Sequence, residues 1–237
     1  MAETLVMVGV RHLGRTIALH FARLGWEVVC VARTAADVEE VARAVDQAGG
    51  HGVALAADLT DARSLAALAA RPRIDLCIAA QTGGGRFGAK PLLEIDDDEL
   101  AHGLAVYVQG TWNLFKAVGP KLVAQRGGTF LQIGTSSGVR TREGFSVLGA
   151  VQHALRALVQ AAAREWRPHG VHVAFLPIDG GIESDKTREW IARIGADRAL
   201  PPEEIARSCE YLYRQDPRAW THELLLRPHG SDWTTPT

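Results

Sequence analysis

The chain has 237 residues, 47% of them hydrophobic, and a formal net charge of −1 at pH 7. This length suits one doubly wound domain, and the near-neutral charge excludes field-driven binding to nucleic acid or to an anionic membrane. The sequence contains no apolar run of about 18 residues, so we expect no transmembrane helix. Three cysteines at unrelated spacings predict no metal site and favour the reducing cytoplasm.

Strand-like and helical segments alternate along the chain. Continuous apolar runs predict strands at Thr4–Val10, Glu27–Ala32, Gly52–Ala57, Ile74–Ala80, Gly128–Gly134 and Val171–Ile178, with a final strand at Glu223–Leu226. Helical spacing predicts helices at Leu13–Leu24, Ala35–Ala48, Asp96–Ala124 and Phe145–Arg167, and another that opens at Pro201. Because the strands are apolar on both faces and alternate with helices, we predict an α/β fold with a buried parallel sheet.

The turn between the first strand and the first helix has the character of a phosphate-binding turn. Its sequence is Gly9-Val10-Arg11-His12-Leu13-Gly14. Gly9 permits a tight turn, Gly14 permits close contact between helix and strand, and the helix N-terminus offers N–H groups to a pyrophosphate. Arg11 stands where the G-x-G-x-x-G pattern has its middle glycine, and an ordinary strand-to-helix turn is the alternative interpretation.

The end of the second strand bears on the choice of cofactor. NAD-binding proteins commonly end this strand in an acid that binds the ribose 2′-hydroxyl, whereas here Arg33 follows Ala32. Arg33, joined by Arg11 from the first turn, can offer planar donors to a 2′-phosphate, so we favour NADP(H) over NAD(H). The alternative is that both arginines are solvated surface charges. Asp58, after the third strand, either accepts from the adenine amino group or caps the next helix.

Blocks along nearly the whole chain resemble the short-chain dehydrogenase/reductase family. The supporting blocks are Gly9…Gly14, Asp58-Leu59-Thr60-Asp61, Asp75-Leu76-Cys77-Ile78, Pro91-Leu92, Gly127–Gly138 and His169–Val173. The resemblance implies one Rossmann-type dinucleotide-binding domain over residues 1–237. It implies a seven-stranded parallel sheet of order 3-2-1-4-5-6-7 between two helical layers, and an active site at the carboxyl ends of strands four to six.

Together with the first turn and the second strand, the resemblance predicts which residues contact the cofactor. They are Gly9, Arg11, His12, Leu13, Gly14, Arg33, Thr34, Asp58, Leu59, Ala79, Ala80, Gln81, Ile133, Gln152, Gly180 and Ile182.

The four catalytic positions of this family carry other residues here. In the family a Ser and a Tyr polarise the substrate carbonyl, a Lys lowers the pKa of the Tyr, and an Asn holds a proton-relay water. The positions that match Asn, Ser, Tyr and Lys are Tyr107, Thr135, Leu148 and Gln152. Neither a Tyr nor a Lys lies on the Phe145–Arg167 helix, so a pair acting from that helix is excluded. The resemblance is therefore to a divergent member.

Three residues, two of them at these positions, are candidates for catalysis. Thr135 keeps a hydroxyl that can donate to a substrate oxygen. Tyr107 is a candidate proton donor, with a packed aromatic between helix and sheet as the alternative. Asp179 either acts as a base or nicotinamide ligand, or caps the following turn.

Two loops and two helices bear on substrate access and assembly. Gly83–Gly88 and a lid at about 183–200, which carries Trp190, follow strands four and six and are candidates for gating the substrate. The two long helices, with an alanine-rich face, predict a homodimer or homotetramer.

These features favour an NADP(H)-dependent oxidoreductase with an atypical active site, a ketoreductase of specialised metabolism. Two alternatives stay open, because a fold does not fix a function. One is a non-redox enzyme on the same scaffold, such as a dehydratase, isomerase or cyclase. The other is a non-catalytic NADP-binding or partner protein.

Overall fold

The centre of the molecule is a six-stranded parallel sheet, seen in a computed structural model that describes residues 2–83 and 88–231. Its strands are β1 (Thr4–Val8), β2 (Glu27–Ala32), β3 (His51–Ala56), β4 (Leu76–Ala79), β5 (Thr129–Thr135) and β6 (His172–Ile178). They lie in the order β3-β2-β1-β4-β5-β6, and every neighbouring pair is parallel. Because the order reverses between β1 and β4, the carboxyl ends of these two strands flank a crevice.

Helices cover both faces of the sheet, which confirms the predicted α/β/α arrangement. They are α1 (Leu13–Ala22), α2 (Ala35–Gln47), α3 (Ala66–Ala69), α4 (Asp97–Gly103), α5 (Gly110–Gln125), α6 (Ser146–Trp166), α7 (Arg188–Ile194) and α8 (Pro202–Tyr213). Leu5 and Met7 of β1 join the core beneath α1, α2 and α8, whereas Val6 and Val8 join the core beneath α5 and α6. Within the described ranges, no helix has the length and apolar character needed to cross a membrane.

The predicted seventh strand is interrupted, so the expectation of seven regular strands is corrected to six. Residues Glu223–Leu226 run parallel to β6 but pair with it only through two isolated bridges: Phe175 to Glu223 and Ile178 to Leu226. Leu224 donates its N–H to Phe175 and Leu226 donates to Pro177, each at 3.1 Å. The bond between them is missing because Pro177 has no N–H to donate to Leu224.

The long helix predicted over Asp96–Ala124 is divided. A π turn over Leu104–Gln109 separates α4 from α5. Each turn of a π-helix contains more residues than a turn of an α-helix, so this turn rotates the side chains of α5 relative to those of α4. Such turns occur frequently at functional sites, and this one contains Tyr107.

Candidate cofactor and substrate site

A cavity of about 620 Å³ opens at the carboxyl ends of β1, β2, β4, β5 and β6. Its volume is typical of sites for small molecules and cofactors. Most predicted site residues line it: Gly9, Arg11, His12, Leu13, Gly14, Arg33, Thr34, Asp58, Leu59, Ala80, Gln81, Tyr107, Ile133, Thr135, Gln152, Gly180 and Ile182. Ala79 and Asp179 lie outside the lining.

The turn after β1 presents an open helix N-terminus to the cavity. Gly9 has a φ of +84° and donates its N–H to Val31 at 2.8 Å. A Cβ added at Gly14 would lie 1.7 Å from the carbonyl oxygen of Gly9, so the close approach of α1 requires glycine there. Because no side chain of the described residues caps α1, this N-terminus is open to an anion.

The side chain of Arg11 is turned toward α2. Its Nε lies 3.8 Å from Oδ2 of Asp37, in the first turn of α2, and the Arg11 side chain is 58% exposed. Arg33 is exposed at the end of β2 and lines the same cavity. An open helix N-terminus with two arginines at its flank fits the phosphates of a dinucleotide. Sequence reasoning missed Asp37, although an acid four residues after Arg33 was visible.

Asp58 closes the turn after β3, whereas the cap of the next helical turn is Asp61, whose Oδ1 accepts from the N–H of Arg63 at 3.0 Å. Oδ1 of Asp58 accepts from the backbone N–H of Thr60 at 2.9 Å and from the Thr60 hydroxyl at 2.8 Å. Asp58 still lines the cavity, so its contact with the adenine stays a prediction.

Three side chains on the α4–α5 side hold the chain after β4. The Tyr107 phenol oxygen accepts from the N–H of Gly83 at 3.1 Å, and His102 Nε2 lies 3.2 Å from the Gly83 carbonyl oxygen. Thr111 accepts from the side-chain amide of Gln81 at 2.7 Å. Residues five apart point about 140° away from each other on a regular α-helix. The π turn reduces that separation, so the side chains of His102 and Tyr107 both reach the backbone of Gly83.

A buried glutamine on β5 extends this polar network. Gln132 is fully buried, and its Nε2 donates to the carbonyl of Ala79 at 3.0 Å. The Thr111 hydroxyl donates to Gln132 Oε1 at 3.3 Å. The network fixes the end of β4 below the cavity, and Ala79 takes part through its backbone. A polar residue inside the apolar run at 130–133 was the sequence signal for Gln132.

The position of Tyr107 is compatible with both predicted roles, a packed aromatic residue and a proton donor. The residue is 7% exposed, packs in the core between helix and sheet, and lines the cavity. Burial raises the pKa of its phenol, and the hydrogen bond from Gly83 offsets part of that rise. The phenol is therefore protonated at neutral pH and can serve as a donor.

Thr135, the last residue of β5, has a side-chain hydroxyl that forms no hydrogen bond with the described residues. Its backbone N–H donates to Oε1 of Gln152 at 3.1 Å, which fixes the residue. Its Oγ1 is buried and has no hydrogen-bond partner among the described residues. A buried polar group without a partner costs about 1–3 kcal/mol, so a ligand that bonded to this hydroxyl would relieve that cost.

The α6 helix contributes only Gln152 to the cavity lining. Leu148, one turn earlier, packs against the hydrophobic core and is absent from the lining. Gln152 is buried, and its side-chain oxygen is the acceptor for Thr135. This helix therefore positions the end of β5 and presents no titratable group to the cavity.

Asp179 is engaged with the C-terminal segment. It is 2% exposed and forms an ion pair with Arg227, whose side chain is 13% exposed. Its backbone N–H donates to the carbonyl of Leu226 at 2.9 Å. The carboxylate predicted to act as a base or nicotinamide ligand, or as a cap, is thus found tying the C-terminal segment to the end of β6.

The segment predicted as a lid, residues 183–200, contributes cavity residues that sequence reasoning missed. Ser184, Lys186 and Thr187 line the cavity. The segment contains α7 and ends in a short strand, β8 (Ala199–Leu200), which pairs with β7 (Gly181–Ile182) just before the segment. Trp190 covers Gly181, where an added Cβ would lie 2.0 Å from the indole ring. In the other predicted gating segment, residues 84–87 lie outside the described ranges.

Comparison with known proteins assigns the family. A metagenomic short-chain oxidoreductase solved with NADP shares 27% identity and a TM-score of 0.80, covering 97% of this chain and 98% of that chain. Residues 9–227 match the family model described as enoyl-(acyl carrier protein) reductase. The chain belongs to the short-chain dehydrogenase/reductase family. The chain thus has the scaffold of an oxidoreductase family.

Curated relatives extend this family assignment. An uncharacterized oxidoreductase of Listeria monocytogenes is 22% identical over 233 residues, covering 93% of this chain and 94% of that protein. An uncharacterized NAD-dependent oxidoreductase of Mycobacterium tuberculosis is 28% identical over 182 residues, covering 69% of this chain and 65% of that protein. Of these similar proteins, the metagenomic oxidoreductase was solved with NADP, and the Mycobacterium tuberculosis protein is described as NAD-dependent.

Proposed function

We propose that this short-chain dehydrogenase/reductase is an NADP(H)-dependent ketoreductase of specialised metabolism with an atypical active site. The observation that carries the proposal is the buried Thr135 hydroxyl, which lines the cavity and has no partner among the described residues. Tyr107 lines the same cavity, and Arg11 and Arg33 flank it at the carboxyl ends of β1 and β2. One cavity therefore offers donors for a carbonyl oxygen and cations for a phosphorylated cofactor.

The residues of the first two β–α turns would hold the cofactor. The open N-terminus of α1, with Gly9 and Gly14, suits a pyrophosphate, and Arg33 with Arg11 suits a 2′-phosphate. Gln152, Gly180 and Ile182 would flank the nicotinamide. When bound, the nicotinamide supplies a hydride to the carbonyl carbon of the substrate.

The chain's own side chains act on the carbonyl oxygen. Thr135 donates a hydrogen bond to the oxygen as its negative charge develops. Tyr107, protonated because burial raises its pKa, supplies the proton that completes the alcohol. In this proposal Asp179 moves no proton, because its carboxylate is paired with Arg227.

Steady-state assays with a panel of ketones test the proposal. We expect NADPH absorbance at 340 nm to fall in proportion to the alcohol formed, with at least one ketone of the panel. Product formation that continues after the cofactor is removed would contradict reduction and favour a dehydratase, isomerase or cyclase. Tight NADPH binding without turnover of any ketone would favour the non-catalytic alternative.

Replacing Tyr107 with phenylalanine tests its part in proton transfer. We expect kcat to fall about a hundredfold to a thousandfold, the lower part of the range for loss of a general acid. Because burial raises the pKa of the wild-type phenol, the phenol stays protonated from about pH 6 to pH 9, and wild-type kcat should not fall across that range through loss of this proton. The measurement is kcat between pH 6 and pH 9 for both proteins, with circular dichroism as the control for folding. An unchanged kcat would assign Tyr107 a packing role alone.

We also propose a homodimer or homotetramer built on α4, α5 and α6. Leu100, Leu104 and Trp112 form an exposed apolar stripe along α4, the π turn and α5, and Trp112 is 50% exposed. On α6, Ala150 and Ala157 are exposed small residues. Large side chains beside a small-residue face allow close helix packing, and exposed apolar patches of this kind mark interfaces.

Light scattering on wild type and on Trp112→Glu tests the assembly. We expect the wild type to have at least twice the chain mass of 25.6 kDa, and the variant to dissociate toward that mass. Tyr211→Glu on α8 is the matched control, because Tyr211 is also an exposed aromatic residue but lies outside the stripe. A monodisperse wild-type monomer would contradict the proposal.

A further inference from the structure

The adenosine-side end of the cavity contains a carboxylate as well as two arginines. Asp37, in the first turn of α2, lines the cavity with Arg11 and Arg33. Its Oδ2 lies 3.8 Å from Nε of Arg11. Among the described residues Arg33 forms no ion pair, so the carboxylate is directed to Arg11 specifically.

A carboxylate and a phosphate compete for the same guanidinium. Both accept charge-assisted hydrogen bonds from arginine, and a guanidinium engaged by one is less available to the other. The two anions also repel each other when they share one site. The 3.8 Å contact is an ion pair that is longer than a hydrogen bond, so Asp37 acts against a 2′-phosphate by attracting the Arg11 guanidinium and by its own negative charge.

We propose that Asp37 competes with the cofactor's 2′-phosphate for Arg11, and that its negative charge weakens binding of that phosphate. The inference rests on the proposed use of NADP(H). It names Asp37 as a residue that determines cofactor specificity, with Arg11 as its target and Arg33 as the arginine left for the phosphate. Removal of the Asp37 charge should therefore raise the affinity for ligands that carry a 2′-phosphate and leave the affinity for other ligands unchanged.

The chain provides a matched control for the charge of Asp37. Arg15 and Glu40 form a second pair between α1 and α2, with Nε 3.9 Å from Oε1, about one turn from the first. Neither Arg15 nor Glu40 lines the cavity. Glu40→Gln thus removes the same charge from the same helix at nearly the same pair distance. Any effect of net charge alone will appear in both variants.

Calorimetric titration of the full chain with 2′,5′-ADP and with 5′-ADP is the test. We expect Asp37→Asn to bind 2′,5′-ADP about threefold to tenfold more tightly than wild type, with 5′-ADP affinity unchanged, since the pair is partly exposed. Glu40→Gln should change either affinity less than about twofold. The Asp37→Asn gain should shrink as salt is raised from about 0.05 M to 0.5 M.

Each other outcome overturns the inference. If Asp37→Asn matches Glu40→Gln while the wild type binds 2′,5′-ADP, Asp37 is no competitor, but the proposed use of NADP(H) stands. If Asp37→Asn weakens 5′-ADP binding, Asp37 is a ligand of the ribose hydroxyl instead. If the wild type binds neither 2′,5′-ADP nor NADPH, the proposed function fails, and this inference fails with it.

Discussion

Replacing Thr135 with valine is expected to lower kcat about a hundredfold to a thousandfold while NADPH affinity is unchanged. That range is typical when one preorganised donor to a developing oxyanion is removed. The hydroxyl is buried, lines the cavity and has no partner among the described residues, so substrate is the group it can serve. Steady-state kinetics with a saturating ketone measure the loss, and calorimetry measures cofactor affinity.

Thr135→Ser is the matched control for that result. Serine retains the hydroxyl and the backbone N–H that donates to Gln152, so its kcat should stay within about tenfold of wild type. Valine retains the size of threonine and removes only the donor. A Thr135→Val variant with wild-type kcat would show that the hydroxyl is not used in catalysis, whatever the serine variant does.

Replacing Arg227 with methionine is expected to lower the free energy of unfolding by about 3–5 kcal/mol. The change leaves the buried carboxylate of Asp179 without this cation, and loss of one partner from a buried ion pair has a cost in that range. The arginine stem is replaced by an apolar side chain of similar length, so lost packing contributes little. Urea unfolding at pH 7 measures the change.

Two further variants separate this effect from a general loss of charge. Arg218→Met removes an arginine whose partner Asp216 is exposed, and we expect a much smaller loss of stability, because solvent screens an exposed ion pair. Asp179→Asn combined with Arg227→Met removes both charges, and it should regain part of the stability lost in the single variant. Equal losses for Arg227→Met and Arg218→Met would show that the buried Asp179–Arg227 pair contributes no more to stability than an exposed pair.

The sheet was predictable from the sequence because its signals are local. Runs such as Val28–Val31 are apolar on both faces, as a buried parallel strand requires. The positions of Gly9 and Gly14 also followed from local sterics, since only glycine permits the turn and the close approach found there. The interruption at the edge also has a local cause, Pro177, which removes one donor, but the prediction of a regular seventh strand overlooked it.

The unpredicted parts depend on contacts between distant segments. Asp179 gave no sequence sign of its partner, because Arg227 lies on a different segment and meets it only in the folded chain. The π turn had no local marker in the helical pattern, yet it decides where Tyr107 points. Asp37 gave no sequence sign of its contact with Arg11, because the two residues meet only in the folded chain.

Calorimetric titration of the wild-type protein with NADPH and, separately, with NADH tests the central proposal most directly. We predict binding of NADPH with a Kd of about micromolar, and binding of NADH at least about tenfold weaker, since charge-assisted hydrogen bonds to the 2′-phosphate are lost. Equal affinities would contradict the assignment of Arg33 and Arg11 to that phosphate. If neither cofactor binds, the proposal that this protein is a nicotinamide-dependent oxidoreductase is contradicted.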